Sequence, residues 1–161
     1  MNVTIAPNGY LQIDGARITH KNFTGVKTMY NKEGDRNFSV IIEDENTANA
    51  LIEQGWNVKI KQPEEEGDIP FMYLPVKVLC NDYGPSVYIQ SGRAMNKIAP
   101  DEIGRLDKIR IASVDLDIRP YDWELPNGAS GRSAYLQGII ATQRVDRFAE
   151  RFNEWNAVDS E

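Results

Sequence analysis

The chain has 161 residues, 41% of them hydrophobic, enough for one domain with a full core; no apolar run approaches the ~20 residues of a membrane span, and MNVTIAPNGY does not read as a signal peptide. A single cysteine, Cys80, excludes an internal disulfide framework, and with a single histidine, His20, it leaves too few ligands for a Cys/His zinc site within one chain. A net charge of −6 argues at first against nucleic-acid binding, and the composition as a whole fits a soluble cytoplasmic domain.

In chain order, short β-like runs alternate with turn residues. Residues 10–20, YLQIDGARITH, place Leu11, Ile13 and Ile18 around an Asp14-Gly15 turn. Residues 25–44 read as a hairpin with the turn NKEGDR, followed by alternating Phe38, Val40 and Ile42. Residues 45–55 predict a helix, with Ala48, Leu51 and Ile52 on one face and Gly55 as its left-handed cap. In WNVKIK (56–61), Trp56, Val58 and Ile60 point one way and Asn57, Lys59 and Lys61 the other. FMYLPVKVLC (71–80) sets Met72, Leu74, Val76 and Val78 on one face, and SVYIQ (86–90) follows a Tyr83-Gly84-Pro85 turn. Residues 106–125 form the longest β-like run, where a bulge near Ala112-Ser113 reconciles the phase of Ile109 and Ile111 with that of Val114, Leu116 and Ile118. Residues 133–145 give a further strand, and 146–155 an amphipathic helix with Phe148 and Phe152 four apart. The expected fold is mainly β: an OB-like barrel with one internal and one C-terminal helix over residues 1–155, then a short acidic tail at 156–161. A two-sheet sandwich is the alternative.

The acidity is unevenly placed. Residues 64–68 carry −4 and residues 154–161 carry −3, whereas residues 69–153 carry eleven basic and ten acidic side chains and residues 1–63 seven of each. A near-neutral body can hold a basic groove on one face. The stretch QPEEEGDIPFMY (62–73) resembles the Asp-Ile-Pro-Phe docking tip of bacterial single-stranded-DNA-binding proteins, but such a tip needs a free terminal carboxylate that Phe71 lacks. The plainer expectation is an exposed acidic loop leading into a strand that starts at Phe71.

Catalytic arrangements are scarce. Asp115 and Asp117, two apart on a strand, share a face and could hold Mg²⁺ for phosphodiester cleavage; the same alternation also marks the solvent side of a half-buried strand. GASGR (128–132) reads as a loop from which Arg132 and Asn127 could reach a phosphate, and His20 as a surface residue.

More informative is the sharing of outward phases by basic and aromatic residues. Lys59, Lys61, Tyr73, Lys77, Tyr88, Arg119, Tyr121 and, if the strand continues past Pro120, Trp123 all face away from the apolar phase. Single-stranded nucleic acid wants both types, cations for phosphates and aromatic faces for unpaired bases. Outward tyrosines are also common on sheets for propensity reasons alone, so a β-sandwich interaction or virion module stays open.

The run KNFTGVKTMYNKEGDRNFSVIIEDENTANALIEQGWNVK, then YLPVKV and VDLDIRPYDWELPNGASGRSAYL, resembles the single-stranded-DNA-binding proteins of phages. The likeness lies in a basic-aromatic hairpin, a helix, a lysine strand and a late Arg-Pro-Tyr segment. It implies an OB-fold, non-enzymatic and largely sequence-independent binding of single-stranded DNA, and a protective role in replication or recombination in the host cytoplasm. On that reading Tyr30, Tyr73, Tyr88, Tyr121 and Trp123 are stacking candidates, and Arg36, Lys59, Lys61, Lys77, Arg119 and Arg132 phosphate contacts. Neither a cofactor, a metal nor a membrane is implied. Replication or recombination proteins are candidate partners, and homo-oligomerisation is open. The ending VDSE departs from the family's acidic tails in being short and lacking a terminal phenylalanine.

Overall fold

Alternation of apolar and polar side chains is the rule that builds this domain, and one sheet satisfies it. The computed structural model describes residues 1–144. Its strands are β1 (Asn2–Ile5), β2 (Leu11–Ala16), β3 (Ile18–Asn22), β4 (Arg36–Ile42), β5 (Lys59–Lys61), β6 (Phe71–Val78), β7 (Ser86–Ser91), β8 (Ala94–Ile98), β9 (Ile111–Glu124) and β10 (Ser130–Gln143). Helix α1 (Glu45–Glu53) lies between β4 and β5, and a 3₁₀ segment (Pro100–Lys108) between β8 and β9. The inward residues form a single core that includes Leu11, Ile13, Phe38, Val40, Leu74, Val76, Leu116, Ile118 and Ile139.

The sheet runs β1-β2-β9-β10-β6-β4-β3, with β5 on the start of β6, and β7 then β8 on the second half of β10. Only Arg17 separates β2 from β3, and its carbonyl accepts from Ile41 N at 2.9 Å. One bent stretch of chain thus pairs with β9 at one end and β4 at the other, so the mixed sheet curls back on itself in OB-like fashion. All ten strands belong to this one sheet, which overturns the two-sheet sandwich.

Several local expectations are corrected. Asp14-Gly15 does not reverse the chain: it is a bulge in β2 opposite β9, with Gly15 at φ 67° and its N–H donating to Asp115 Oδ1 at 2.8 Å. No hairpin spans 25–44, because residues 23–35 form a loop held by side-chain bonds. Asn31 Nδ2 donates to the carbonyls of Val26, Lys32 and Asp35, and Asp107 accepts from the N–H groups of Phe23 and Thr24. Ile60 is exposed, since β5 is a three-residue strand paired with β6 alone. Ile52 is likewise exposed while Ala48 and Leu51 are buried. Residues 106–110 precede β9, and 106–108 belong to the 3₁₀ turn; the carbonyls of Leu106 within it and Ile109 just after it accept from Lys21 Nζ at 2.9 and 2.8 Å. β1, β8 and the 3₁₀ segment were not foreseen. The helix expected at 146–155 and the tail at 156–161 lie outside the described residues.

Three readings hold: the helix with Gly55 after it, the bulge near Ala112-Ser113 and the exposed acidic loop. α1 is capped by Asp44, which accepts from Thr47 N, and Gly55 follows its end at φ 92°. Ala112 is the extra residue of a β9 bulge, since Ser113 faces Thr142 and Ile111 faces Gln143. The acidic run is an exposed loop, and Phe71 is the first residue of β6.

Candidate nucleic-acid interface

β6 alternates strictly, with Met72, Leu74, Val76 and Val78 buried and Lys77 exposed on the opposite face. β9 does the same: Val114, Leu116 and Ile118 are buried, while Asp115, Asp117, Arg119, Tyr121 and Trp123 face out. The strand does continue past Pro120, to Glu124. Between these two strands runs β10, whose buried Ala134 and Leu136 leave Tyr135 on the outer face.

Register then aligns Asn37, Lys77, Tyr135 and Arg119 across β4, β6, β10 and β9. Tyr135 is the centre of this row. Lys77 Nζ lies 5.9 Å from its ring centroid, the Arg119 guanidinium carbon 5.5 Å, and the Tyr121 ring 5.9 Å away in an edge-to-face arrangement. Both cation contacts sit near the ~6 Å limit of such attractions, worth about 0.5–1 kcal/mol at exposed sites. A phosphate can therefore draw Lys77 and Arg119 away at little cost and leave the ring free to stack. One step further along β9, Trp123 faces Gly131 across the pair.

Arg36 shares a hollow with Asn37, Lys77 and Tyr135, and its Nη1 donates to Cys80 Sγ at 3.2 Å. Tyr30 stands at the tip of the 23–35 loop, 94% exposed beside Met29. That loop is tied to the row by Asn37 Nδ2 donating to Asn31 Oδ1 at 2.8 Å.

A second group gathers at the start of β6. Lys59 pairs with Tyr73 and Lys61 with Phe71, so all four lie on the Lys77 face. Because β6 and β10 are parallel, their starts lie at one end of the molecule. The β5–β6 and β9–β10 connections project from that same end.

Two expected residues fall apart from these groups. Tyr88 lies on β7 with Lys97 Nζ 5.9 Å from its ring, in a cleft that Asp14, Asp115 and Asp117 also line. The outer face of β9 and β10 thus passes from acidic at the Tyr88 end to basic and aromatic at the Tyr121 end. Arg132 is in β10 rather than in a flexible loop; the loop is 125–129. It has the inward phase, its Nε donates to Asp122 Oδ1 at 2.7 Å, and its guanidinium covers Trp56 at 5.4 Å. Its own N–H donates to Gly55 O at 3.1 Å, so this arginine joins the end of α1 to β10. Of the two carboxylates suited to Mg²⁺, Asp115 accepts from Gly15 N; among the described residues no group of three or more His, Cys, Asp or Glu side chains is placed to hold a metal ion.

The family model described as "Putative phage ssDNA-binding domain" matches residues 2–161. The chain belongs to this family. It is a phage-type single-stranded-DNA-binding domain, and it binds single-stranded DNA. No curated protein matches it. Among solved structures, a C-terminally truncated single-stranded DNA-binding protein from bacteriophage Enc34 is similar in fold, with a TM-score of 0.57 at 15% identity, over 90% of this chain and 91% of that one. The resemblance drawn from the sequence thus stands. The sequence reading did not include Tyr135 in the outer row, although Ala134 and Leu136 on either side give its outward phase. It also passed over Phe71, which has the same outward phase as Tyr73. No helix among the described residues is long and apolar enough to cross a membrane.

Proposed function

We propose that the row centred on Tyr135 is where this domain holds single-stranded DNA, without sequence preference. In this reading Lys77, Arg119 and Arg36 neutralise phosphates while Tyr135, Tyr121 and Trp123 stack on bases, and Tyr30 reaches the strand from its loop. The protein coats and protects the strand during replication or recombination in the host cytoplasm and catalyses nothing. The observation that carries this is the packing of two cations and a second tyrosine around one ring, all within 5.9 Å. Every base has a π-face and every nucleotide a phosphate, so such a site ignores sequence. Tyr135→Ala should weaken oligo-dT binding by about 1–3 kcal/mol, the worth of one stack. Wild-type affinity for Tyr135→Ala, with equal melting temperatures, would place the strand elsewhere. A labelled single strand should stay intact with Mg²⁺; cleavage that Asp115→Asn abolishes would replace the reading by a nuclease.

A further inference from the structure

His20 is the one residue other than glycine with a positive φ among the described residues, at 52°. Such a conformation is uncommon for a residue with a β-carbon and is kept only where the surroundings hold it. Here it falls in an irregularity of β3, where the register with β4 shifts between Thr19 and Asn22. The result is a ring that reaches across β4: His20 lies 5.6 Å from Tyr73 and 6.3 Å from Phe71, edge-on to both, and Phe71 and Tyr73 are 5.3 Å apart. His20 itself is exposed, and Phe71 and Tyr73 are half-buried, so the cluster is a surface and not part of the core. Lys59 and Lys61 are the cross-strand neighbours of Tyr73 and Phe71.

We propose that His20, Phe71 and Tyr73 form a second base-stacking platform, with Lys59 and Lys61 holding the adjoining phosphates, and that one strand of DNA spans both platforms. This rests on the reading of the Tyr135 row as the first. The chemistry is the same in the two places, aromatic faces with cations at their rim, and the outer face of β6 contributes to both, Lys77 to the first and Phe71 and Tyr73 to the second. Tyr73 and Lys77 are four residues apart on β6, about 13 Å at ~3.3 Å per residue. That distance is about four nucleotides at the ~3.4 Å rise of a stacked strand, fewer if it is extended. The strand therefore follows β6 from the Tyr135 row towards the β5–β6 hairpin. It does not follow β9 towards Tyr88, where Asp14, Asp115 and Asp117 would repel phosphates.

The left-handed backbone supplies a clean test, because glycine adopts it freely. His20→Gly removes the ring without asking the chain to change course. Affinities for oligo-dT of two, three, six and ten nucleotides are measured for wild type, His20→Gly, Phe71→Leu and Tyr135→Ala, with melting temperatures alongside. The expected result is that His20→Gly and Phe71→Leu bind the six- and ten-nucleotide strands roughly fivefold to tenfold more weakly than wild type, as for partial loss of a stack. The two-nucleotide strand, too short to span both platforms, should show a much smaller loss. Photocrosslinking of an iodouridine-substituted ten-nucleotide strand should label the peptide containing Phe71 and Tyr73. If His20→Gly and Phe71→Leu melt normally and bind every length like wild type while Tyr135→Ala is impaired, the second platform is overturned and the first stands. If Tyr135→Ala is also unimpaired, the underlying reading fails with it.

Discussion

The indole of Trp123 lies over Gly131 so closely that a β-carbon added there would come within 2.6 Å of its Cζ2. Gly131 is the cross-strand partner of Trp123, and the bare backbone lets the ring cover the pair near the end of the β9–β10 hairpin. Gly131→Ala should lift the indole from that seat. The expected outcome is a shifted tryptophan emission, identified by comparison with Trp123→Phe, and altered oligo-dT affinity with the fold retained. Emission equal to wild type would show that the ring does not depend on the glycine.

Lys77 and Arg119 should act through phosphates. Each alanine variant is expected to flatten the slope of log affinity against log salt by about one, and to weaken binding similarly for all sequences. Stopped titrations of oligo-dT and a mixed-sequence strand at several salt concentrations check this. An unchanged slope for both would remove them from the interface.

Arg132 should behave differently from every other cation in the candidate set. It holds Asp122, covers Trp56 and binds Gly55 through its backbone. Arg132→Ala should therefore lower the melting temperature, and any loss of DNA affinity should follow that loss of fold. Normal melting with selectively weakened binding would return Arg132 to the DNA-contacting group.

The same pair predicts an acid response. Hydrogen bonding from Arg132 holds the Asp122 carboxyl below its ordinary value of 3.8, aided by the guanidinium charge and opposed by desolvation. A carboxyl lowered on folding contributes stability above its unfolded value and loses it as pH falls through the folded one. The melting-temperature gap between wild type and Asp122→Asn should thus be constant near neutrality and close as pH drops below 3.8. A gap independent of pH would show that the ion pair contributes nothing to stability.

The acidic loop springs from the hairpin that presents Lys59, Lys61 and Phe71. Replacing Glu64, Glu65 and Glu66 with glutamine should tighten oligo-dT binding or leave it unchanged, with the same melting temperature, because all three are exposed. Lost DNA binding in a folded variant would make the loop a functional element of the site.

Where periodicity and burial coincide, the sequence was readable. The phases of β6 and β9, the Ala112 bulge and the α1 cap are all local consequences of alternation or capping chemistry. The failures came where long-range pairing decides. Nothing in WNVKIK says that β5 meets only one neighbour and leaves Ile60 outside. The 23–35 loop takes its shape from Asn31 and from Asp107, more than seventy residues away, which no turn rule anticipates. The outward phase of Tyr88 was legible, but not that β7 would set it beside Asp14, Asp115 and Asp117. Two glycines before Arg132 make its segment read as a loop, whereas pairing of Gly131 with Trp123 draws it into β10.

β10 changes parity once. Tyr135 faces out and Leu136 in, yet further on Ile139 is buried and Ile140 is not, so odd positions lie outside before the irregularity and inside after it. Gln137 makes the change, being the residue skipped as the register with β9 passes from Leu136 to Gly138. In a structure that repeats every two residues, one inserted residue acts as a frame shift confined to one strand. It lets a single strand serve as the hub of the sheet with its tyrosine outside at one end and a fresh apolar row inside at the other. Deleting Gln137 alone would force a choice between burying the Tyr135 ring and exposing Ile139. The length of β10 is therefore as much a part of the face that carries Tyr135 as any side chain on it.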